Sequence, residues 1–190
     1  RQQCTGFIYG LSIADQFIRT GKYRKVLVVG AETHSKGLDK TSRGRDVTVL
    51  FGDGAGAAVV GACEIEDLKH ESCIISTHLH SDGAYAKELW TKAPGCGNPG
   101  QRMTADQIQM GEHYPSMNGK MVFVHAIKRM PEALMEAVES GGFSIQDVEI
   151  FLLHQANLRI NEAAGARLGV PADRFFNTID RFANTTAATI

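Results

Sequence analysis

The chain has 190 residues, 43% of them hydrophobic and 22% charged, an ordinary soluble composition with enough apolar residues for a buried core. A formal net charge of -1 and a pI near 6.7 exclude the basic excess typical of nucleic-acid-binding domains. No apolar run approaches the roughly 20 residues a transmembrane helix needs, and four cysteines without CxxC spacing indicate neither a disulfide framework nor a zinc ribbon, so a reducing cytoplasm is expected.

Cys4 to Ile18 reads as a helix with Phe7, Leu11, Ala14 and Ile18 on one face and no visible cap before it. Residue 1 is Arg, and Asn184 to Ile190 looks like a helix being entered, so the chain is expected to be a segment of a longer protein. Lys25 to Gly30 is apolar on both faces, as a central strand would be. A helix followed by such a strand suggests an α/β fold with a mostly parallel sheet. Lys36 to Asp46 is a polar, basic connection, and Val47 to Phe51 and Ala57 to Ile65 are expected strands on either side of Gly52-Asp53-Gly54-Ala55-Gly56. That run is not a dinucleotide fingerprint, because Ala57 stands where the last glycine should be and strand-like residues follow. Its glycines are expected to let backbone segments pack closely at a bend.

Cys73 to His80 is a further expected strand, with His78 and His80 on one face by alternation. Together with Cys73 and His70 they lack the spacing of a zinc motif, and no metal is expected. Ser81 to Ser116 carries Pro94, Pro99 and Pro115, shows little periodicity and reads as a long lid or binding loop. Met117 to Glu139 is helical, with Ile127, Met130, Leu134 and Ala137 on a stripe and Gly141-Gly142 at its end. Ser144 to Asp147 resembles a capping box. Phe151-Leu152-Leu153 then reads as a short buried strand that delivers His154 into a polar turn, and a helix follows with Ile160, Ala163, Ala164 and Leu168 on its apolar face. His154 therefore falls where open α/β sheets place active-site residues. Phe175 to Ile179 is a last short strand, leading to Asn184.

Cys4, His154 and Asn184 form a chemically meaningful set. A thiol at a helix start sits where the dipole and free N–H groups favour a thiolate. A histidine and an asparagine, each ending a strand, can donate hydrogen bonds to a thioester oxygen as charge develops on it. Residue types alone do not select the trio, since a buried inert cysteine is common.

Several ordered stretches carry a resemblance over essentially the whole length: Cys4-Thr5-Gly6-Phe7 with Ala14-Asp15-Gln16, Gly52 to Val59, His78-Leu79-His80-Ser81-Asp82-Gly83, His154-Gln155-Ala156-Asn157-Leu158-Arg159-Ile160, and Asn184-Thr185-Thr186-Ala187-Ala188. The sequence resembles β-ketoacyl-acyl-carrier-protein synthase III, the initiating condensing enzyme of type II fatty acid synthesis. The resemblance implies a thiolase-like fold of two βαβαβ-type halves in five layers, here only partly covered. Residues 1–80 would be the rear part of the first half, 81–116 a connecting and substrate loop region, and 117–190 the front part of the second half. It assigns Cys4 as the acylated nucleophile, and His154 and Asn184 as the pair that shares the oxyanion task. It gives Arg43 to the adenine of coenzyme A, Gly119, Phe123 and Asn157 to the pantetheine and acyl tunnel, and Arg159 and Arg167 to docking of an acidic carrier protein. Acyl-CoA and malonyl-acyl-carrier protein would be the substrates of a cytoplasmic homodimer needing no cofactor or metal, with no nucleic-acid or membrane partner. A homologue from secondary metabolism, using longer or aromatic acyl groups, and a non-catalytic carrier-docking module are the alternatives. The segment from Ala86 to Pro115 departs most from the family pattern, and with it acyl selectivity is left open.

Overall fold

A computed structural model describes residues 2–66, 71–95 and 102–190. A 3-10 turn, Gln3–Thr5, leads into helix α1, Gly6–Arg19. The inward stripe of α1 places Phe7 and Ala14 against Val28 of strand β1, Lys25–Glu32, with Leu11, Val26, Ala58, Val60 and Ile190 packed around them. Strand β2, Gly54–Gly61, pairs with β1 antiparallel, Lys25 opposite Gly61 and Glu32 opposite Gly54.

The parallel pairing expected at this point is therefore corrected, and the cause is the connection. Between β1 and β2 the chain makes only 3-10 turns and a single helical turn, α2, Arg45–Thr48, and nothing long enough for a crossover helix. Nor is β1 buried on both faces: α1 covers one, while Leu27, Val29 and Val59 on the other are 63%, 58% and 68% exposed. Val47 to Phe51 is also not a strand. The Thr48 hydroxyl donates to the Asp39 carbonyl at 2.6 Å and helps draw this stretch into α2, leaving Phe51 alone in a parallel bridge to Asn184.

The glycines behave as expected of a close-packing bend. A Cβ at Gly54 would lie 2.8 Å from Thr185 Cγ2, one at Gly30 would lie 2.5 Å from the Ala187 carbonyl oxygen, and one at Gly52 would strike the Phe182 carbonyl. These positions let residues 182–188 lie directly on β1 and β2.

Cys73 to His80 forms no strand. The segment is tied by side chains to helix α4, Gly119–Ser140: His78 and His80 both reach Glu136, at 3.1 and 2.6 Å, and Ser76 meets Ser140 at 3.0 Å. The alternation that put both histidines on one face holds even without a ladder. His70 and Cys96 lie outside the described residues. The long loop is more ordered than its composition suggests. Strand β3, Leu89–Trp90, pairs antiparallel with β4, Ser116–Met117, and between them helix α3, Ala105–Gln109, starts on a capping box of Thr104 and Gln107.

The second core joins Phe151, Leu153, Ala164, Val170 and Phe175, with Met130 and Leu134 of α4 against it. Phe151 and Phe175 stack with ring centroids 5.1 Å apart. Burying two such rings contributes about 2 to 3 kcal/mol each. Helix α5, Leu158–Leu168, begins at the cap Asn157 and ends on Gly169 with φ 65°. Phe151 and Phe175 make only a single parallel bridge, so the two strands expected here are reduced to one contact. Gln155 explains the second loss: its Oε1 accepts from the Thr178 and Ile179 N–H groups at 2.8 and 3.1 Å, drawing that backbone away from a ladder and into the short helix α6, Ile179–Phe182. Among the described residues no helix is long and apolar enough to cross a membrane.

Candidate active site

The chain closes on a 3-10 turn, Thr186–Thr189, that is the meeting point of the molecule. Asn184 enters it from a parallel bridge, its N–H donating to the Leu50 carbonyl at 2.9 Å and its own carbonyl accepting from Gly52 N–H at 3.0 Å. The Asn184 side-chain Oδ1 accepts from Thr186 N–H at 2.9 Å, which fixes the amide and leaves Nδ2 as its donor end. The turn holding Cys4 packs on the same residues: a Cβ at Gly6 would lie 3.1 Å from Ala187 Cβ. From the other core, His154 Nδ1 lies 2.7 Å from Thr189 Oγ1. Cys4, His154 and Asn184, 180 residues apart in sequence at their extremes, are thus anchored to one six-residue stretch.

Backbone strain collects there too. Among the described residues the non-glycine positions with positive φ are Gln3, Ala183 and Thr186, at 51°, 57° and 47°. Gln3 precedes Cys4, Ala183 precedes Asn184, and Thr186 lies in the turn itself. Each costs on the order of 1 to 3 kcal/mol, and such residues gather where a site imposes its geometry.

Burial sets the charge state of both candidate chemical groups. The Cys4 thiol is pushed up to about 11, chiefly by desolvation, with the Glu32 carboxylate adding to the rise and a backbone hydrogen bond opposing it. This corrects the expectation of a stabilised thiolate: Cys4 does stand at a helix start, but removal from water outweighs the dipole. His154 is pushed down to about 4 by desolvation, so its imidazole is neutral near pH 7. Its Nε2 is buried and has no hydrogen-bond partner among the described residues. Buried polar atoms without a partner are rare, and His154 Nε2 shares this condition with His113 Nδ1 and Asn161 Oδ1. A cavity of about 580 Å³ opens beside Cys4, walled also by Trp90, His113, His34, Phe51 and Thr186.

Two family models match the chain, 3-oxoacyl-[acyl-carrier-protein] synthase III over residues 1–83 and the C-terminal portion of the same synthase over 126–190. The chain belongs to the synthase III family. The β-ketoacyl-[acyl-carrier-protein] synthase III of Caldanaerobacter subterraneus subsp. tengcongensis is 42% identical over 187 residues, 98% of this chain and 54% of the relative. That of Ehrlichia canis is 43% identical over the same span, 53% of its own length. The crystal structure of the synthase III from Thermus thermophilus, 40% identical, superposes with a TM-score of 0.83 over 99% of this chain and 54% of that one. The fold is therefore thiolase-like α/β, and the chain spans about half the length of these relatives.

The other residues expected of a synthase III lie apart from the turn or are committed to structural bonds. Arg43 is half-exposed, with Nε 2.6 Å from Asp39 Oδ2, Nη1 donating to the Gln109 carbonyl at 3.2 Å, and its guanidinium 5.9 Å from the Tyr114 ring. Asp39 is buried and held down to about 2 by hydrogen bonds from Thr41 and Arg43. Asn157 spends its Oδ1 as the cap of α5, accepting from Arg159 N–H at 3.0 Å. Gly119 opens α4 and Phe123 lies half-buried in its second turn. None of Gly119, Phe123 and Asn157 lines the cavity beside Cys4. Arg159 and Arg167 are exposed on α5, eight residues and so about two turns apart. Sequence reasoning missed Gln155, buried and bonded through both ends of its amide, and Thr189, the partner of His154. The signal for Gln155 was its place directly after His154; Thr189 has none in one dimension.

Proposed function

We propose that this chain carries the nucleophile and the oxyanion-binding pair of an enzyme that initiates type II fatty acid synthesis by joining an acyl-CoA to malonyl-acyl-carrier protein. The observation that carries the reading is the anchoring of Cys4, His154 and Asn184 to the one strained stretch around Thr186. Cys4 sulfur attacks the acyl carbonyl, its proton passing to the departing coenzyme A thiolate, and an acyl thioester remains on the enzyme. A thiol pushed to about 11 is a weak nucleophile when free, so proton loss accompanies attack rather than preceding it. Malonyl-carrier then binds with its thioester oxygen toward His154 and Asn184. Their hydrogen bonds stabilise the enolate formed as carbon dioxide leaves. The enolate carbon attacks the acylated cysteine, the Cys4 thiolate is expelled and reprotonated, and the product is a 3-ketoacyl-carrier. Loss of carbon dioxide drives the step, so the chemistry calls for no metal or redox cofactor.

Coenzyme A would be met by Arg43, which Asp39 holds in place, and the pantetheine arm by Gly119, Phe123 and Asn157. Arg159 and Arg167 would receive the acidic carrier, a role supported by their exposure on the helix that follows His154. The family resemblance supports a homodimer, and the two thioester substrates support a cytoplasmic setting. The test is intact mass after incubation with acetyl-CoA, beside Cys4→Ser. A gain of one acyl group, lost in the variant, is expected; no gain with any short acyl-CoA overturns the reading.

A further inference from the structure

The cavity beside Cys4 takes its walls from two separate stretches. Lys36 to Leu38 come from the connection after β1, while Trp90, His113 and Pro115 come from the loop ahead of α4. Arg43 joins the two. Its Nε donates to Asp39 Oδ2 at 2.6 Å, one residue beyond Leu38, and its Nη1 donates at 3.2 Å to the carbonyl of Gln109, the last residue of α3. Asp39 is a fixed partner: it is buried, and its Oδ1 accepts from the Thr41 N–H and hydroxyl at 3.0 and 2.7 Å. The loop end is tied to the cavity wall as firmly, since the Glu112 carbonyl accepts from Ala93 N–H at 3.0 Å and Ser116 pairs with Trp90. Gly111 makes room for the join. Its φ of 73° lies in the left-handed region, and a Cβ there would strike Arg43 Cζ and lie 2.6 Å from Nη2. The end of a long side chain ordinarily swings away from such a methyl. This one is held by Asp39 and Gln109, so a methyl at 111 and the two hydrogen bonds exclude each other.

We infer that Arg43 latches the loop wall of the Cys4 cavity to the wall at Lys36 to Leu38, with Gly111 the residue that lets the latch close, and that the two together set access to the thiol. Both are positioning residues, Gly111 acting through Arg43. A planar guanidinium suits the task because its fork offers separate donors in fixed directions, one for each wall. The inference goes beyond the proposed reaction and needs nothing from it, since it concerns only the cavity and the reach of a reagent to Cys4. On the proposed reading, the guanidinium that would meet coenzyme A is also the one that joins the walls of the nucleophile's cavity.

Two readouts follow the latch without any thioester. Trp90, in the loop wall, is the single tryptophan of the chain, so acrylamide quenching of its fluorescence reports that wall alone. Iodoacetamide labelling, resolved by peptide mapping because the chain holds four cysteines, reports access to Cys4. In Arg43→Ala, quenching of Trp90 is expected to rise and Cys4 labelling to quicken roughly tenfold, as a local opening eased by the loss of one hydrogen bond would do. Cys73 lines a different cavity and is expected to keep its labelling rate. Arg43→Lys retains the charge but not the fork, and is expected to follow Arg43→Ala. Gly111→Ala is expected to loosen the wall in the same way and to add nothing in the double variant with Arg43→Ala, because the two changes break one contact. Unchanged quenching and Cys4 labelling in Arg43→Ala overturn the inference, as does an Arg43→Lys variant as closed as the unsubstituted protein. Additive effects in the double variant overturn the role of Gly111. Faster labelling of Cys73 alongside Cys4 would show general loosening rather than a latch, and overturns it too.

Discussion

The two sides of the turn at Thr186 hold their chemical groups by opposite means. On the Cys4 side the support is chiefly close apposition: Gly30, Gly52 and Gly54 carry no side chain, so residues 182–188 can lie on β1 and β2, and one polar side-chain contact, His34 Nε2 to Thr186 Oγ1 at 3.2 Å, joins it. On the His154 side it is polar and made by side chains, with Gln155 tying residue 153 to residues 176–179 and Thr189 holding the ring. Yet one physical cause sets both charge states. Burial raises a thiol and lowers an imidazole, so both groups are neutral near pH 7 and no preformed ion pair exists between them. On the proposed condensing reading, each side acts on a different half of the reaction, one by nucleophilic attack and the other by hydrogen bonding.

The largest effects should split along that line. His154→Ala is expected to slow malonyl decarboxylation by about 10² to 10³, the usual cost of one oxyanion donor, while acyl transfer to Cys4 persists. Cys4→Ser is expected to lose acylation and keep decarboxylation. Measuring the two half-reactions separately checks this, and a variant that loses both at once would show that the sides are not independent.

Next in size is the polar scaffold itself. Gln155→Leu keeps the volume but strips partners from the N–H groups of Thr178 and Ile179 and from the Leu153 carbonyl. A loss of about 3 kcal/mol is expected from the buried polar groups left unsatisfied, measured by urea unfolding. A Gly54→Ala change on the other side presses a methyl to 2.8 Å from Thr185 and is expected to cost about 1 to 3 kcal/mol by overpacking. If the Gly54 variant were the worse of the two, the glycine contacts rather than the amide would be the stiffer support.

Acid should also find the His154 side first. The imidazole titrates near 6.5 when unfolded and near 4 when folded, so between those values the unfolded chain holds more protons. Stability is therefore flat in this respect above pH 6.5, declines as pH falls through that window, and has lost on the order of 3 kcal/mol by pH 4. In His154→Gln that part of the decline should vanish. The Asp39 carboxyl, held down to about 2, acts lower: its contribution is intact above pH about 4 and disappears as pH falls toward 2.

What was legible in the sequence follows from how local each cause is. The stripe of α1, the end of α4 and the apolar face of α5 depend on neighbours within a few residues and were readable; the glycine run was readable as a close-packing bend, but its partners Phe182 and Thr185 are distant in sequence and were not. The strands at Val47, Cys73 and Phe175 were not, because distant side chains took their backbone or their place: Thr48 bonds to Asp39, Glu136 collects His78 and His80, and Gln155 captures Thr178 and Ile179. The residue types of Cys4, His154 and Asn184 were readable, whereas the charge states of Cys4 and His154 depend on burial, which exists only once the chain is folded.

The smallest expected effect sharpens the comparison most. Ala183 sits at φ 57° and ψ −158°, a region that only glycine enters freely. It is placed there because its carbonyl neighbour Phe182 closes on Gly52 while Asn184 must pair with Phe51. Ala183→Gly removes a strain of about 1 to 3 kcal/mol but adds about 0.5 to 1 kcal/mol of unfolded-chain freedom. A net gain in stability of about 1 kcal/mol is expected by urea unfolding. Its effect on the half-reactions tells what the strain does. If decarboxylation falls while Cys4 acylation holds, Ala183 was keeping the Asn184 amide in position and the strain belongs to the His154 side. If both hold, the strain is only the cost of laying that backbone on the glycines, and belongs to the support of Cys4.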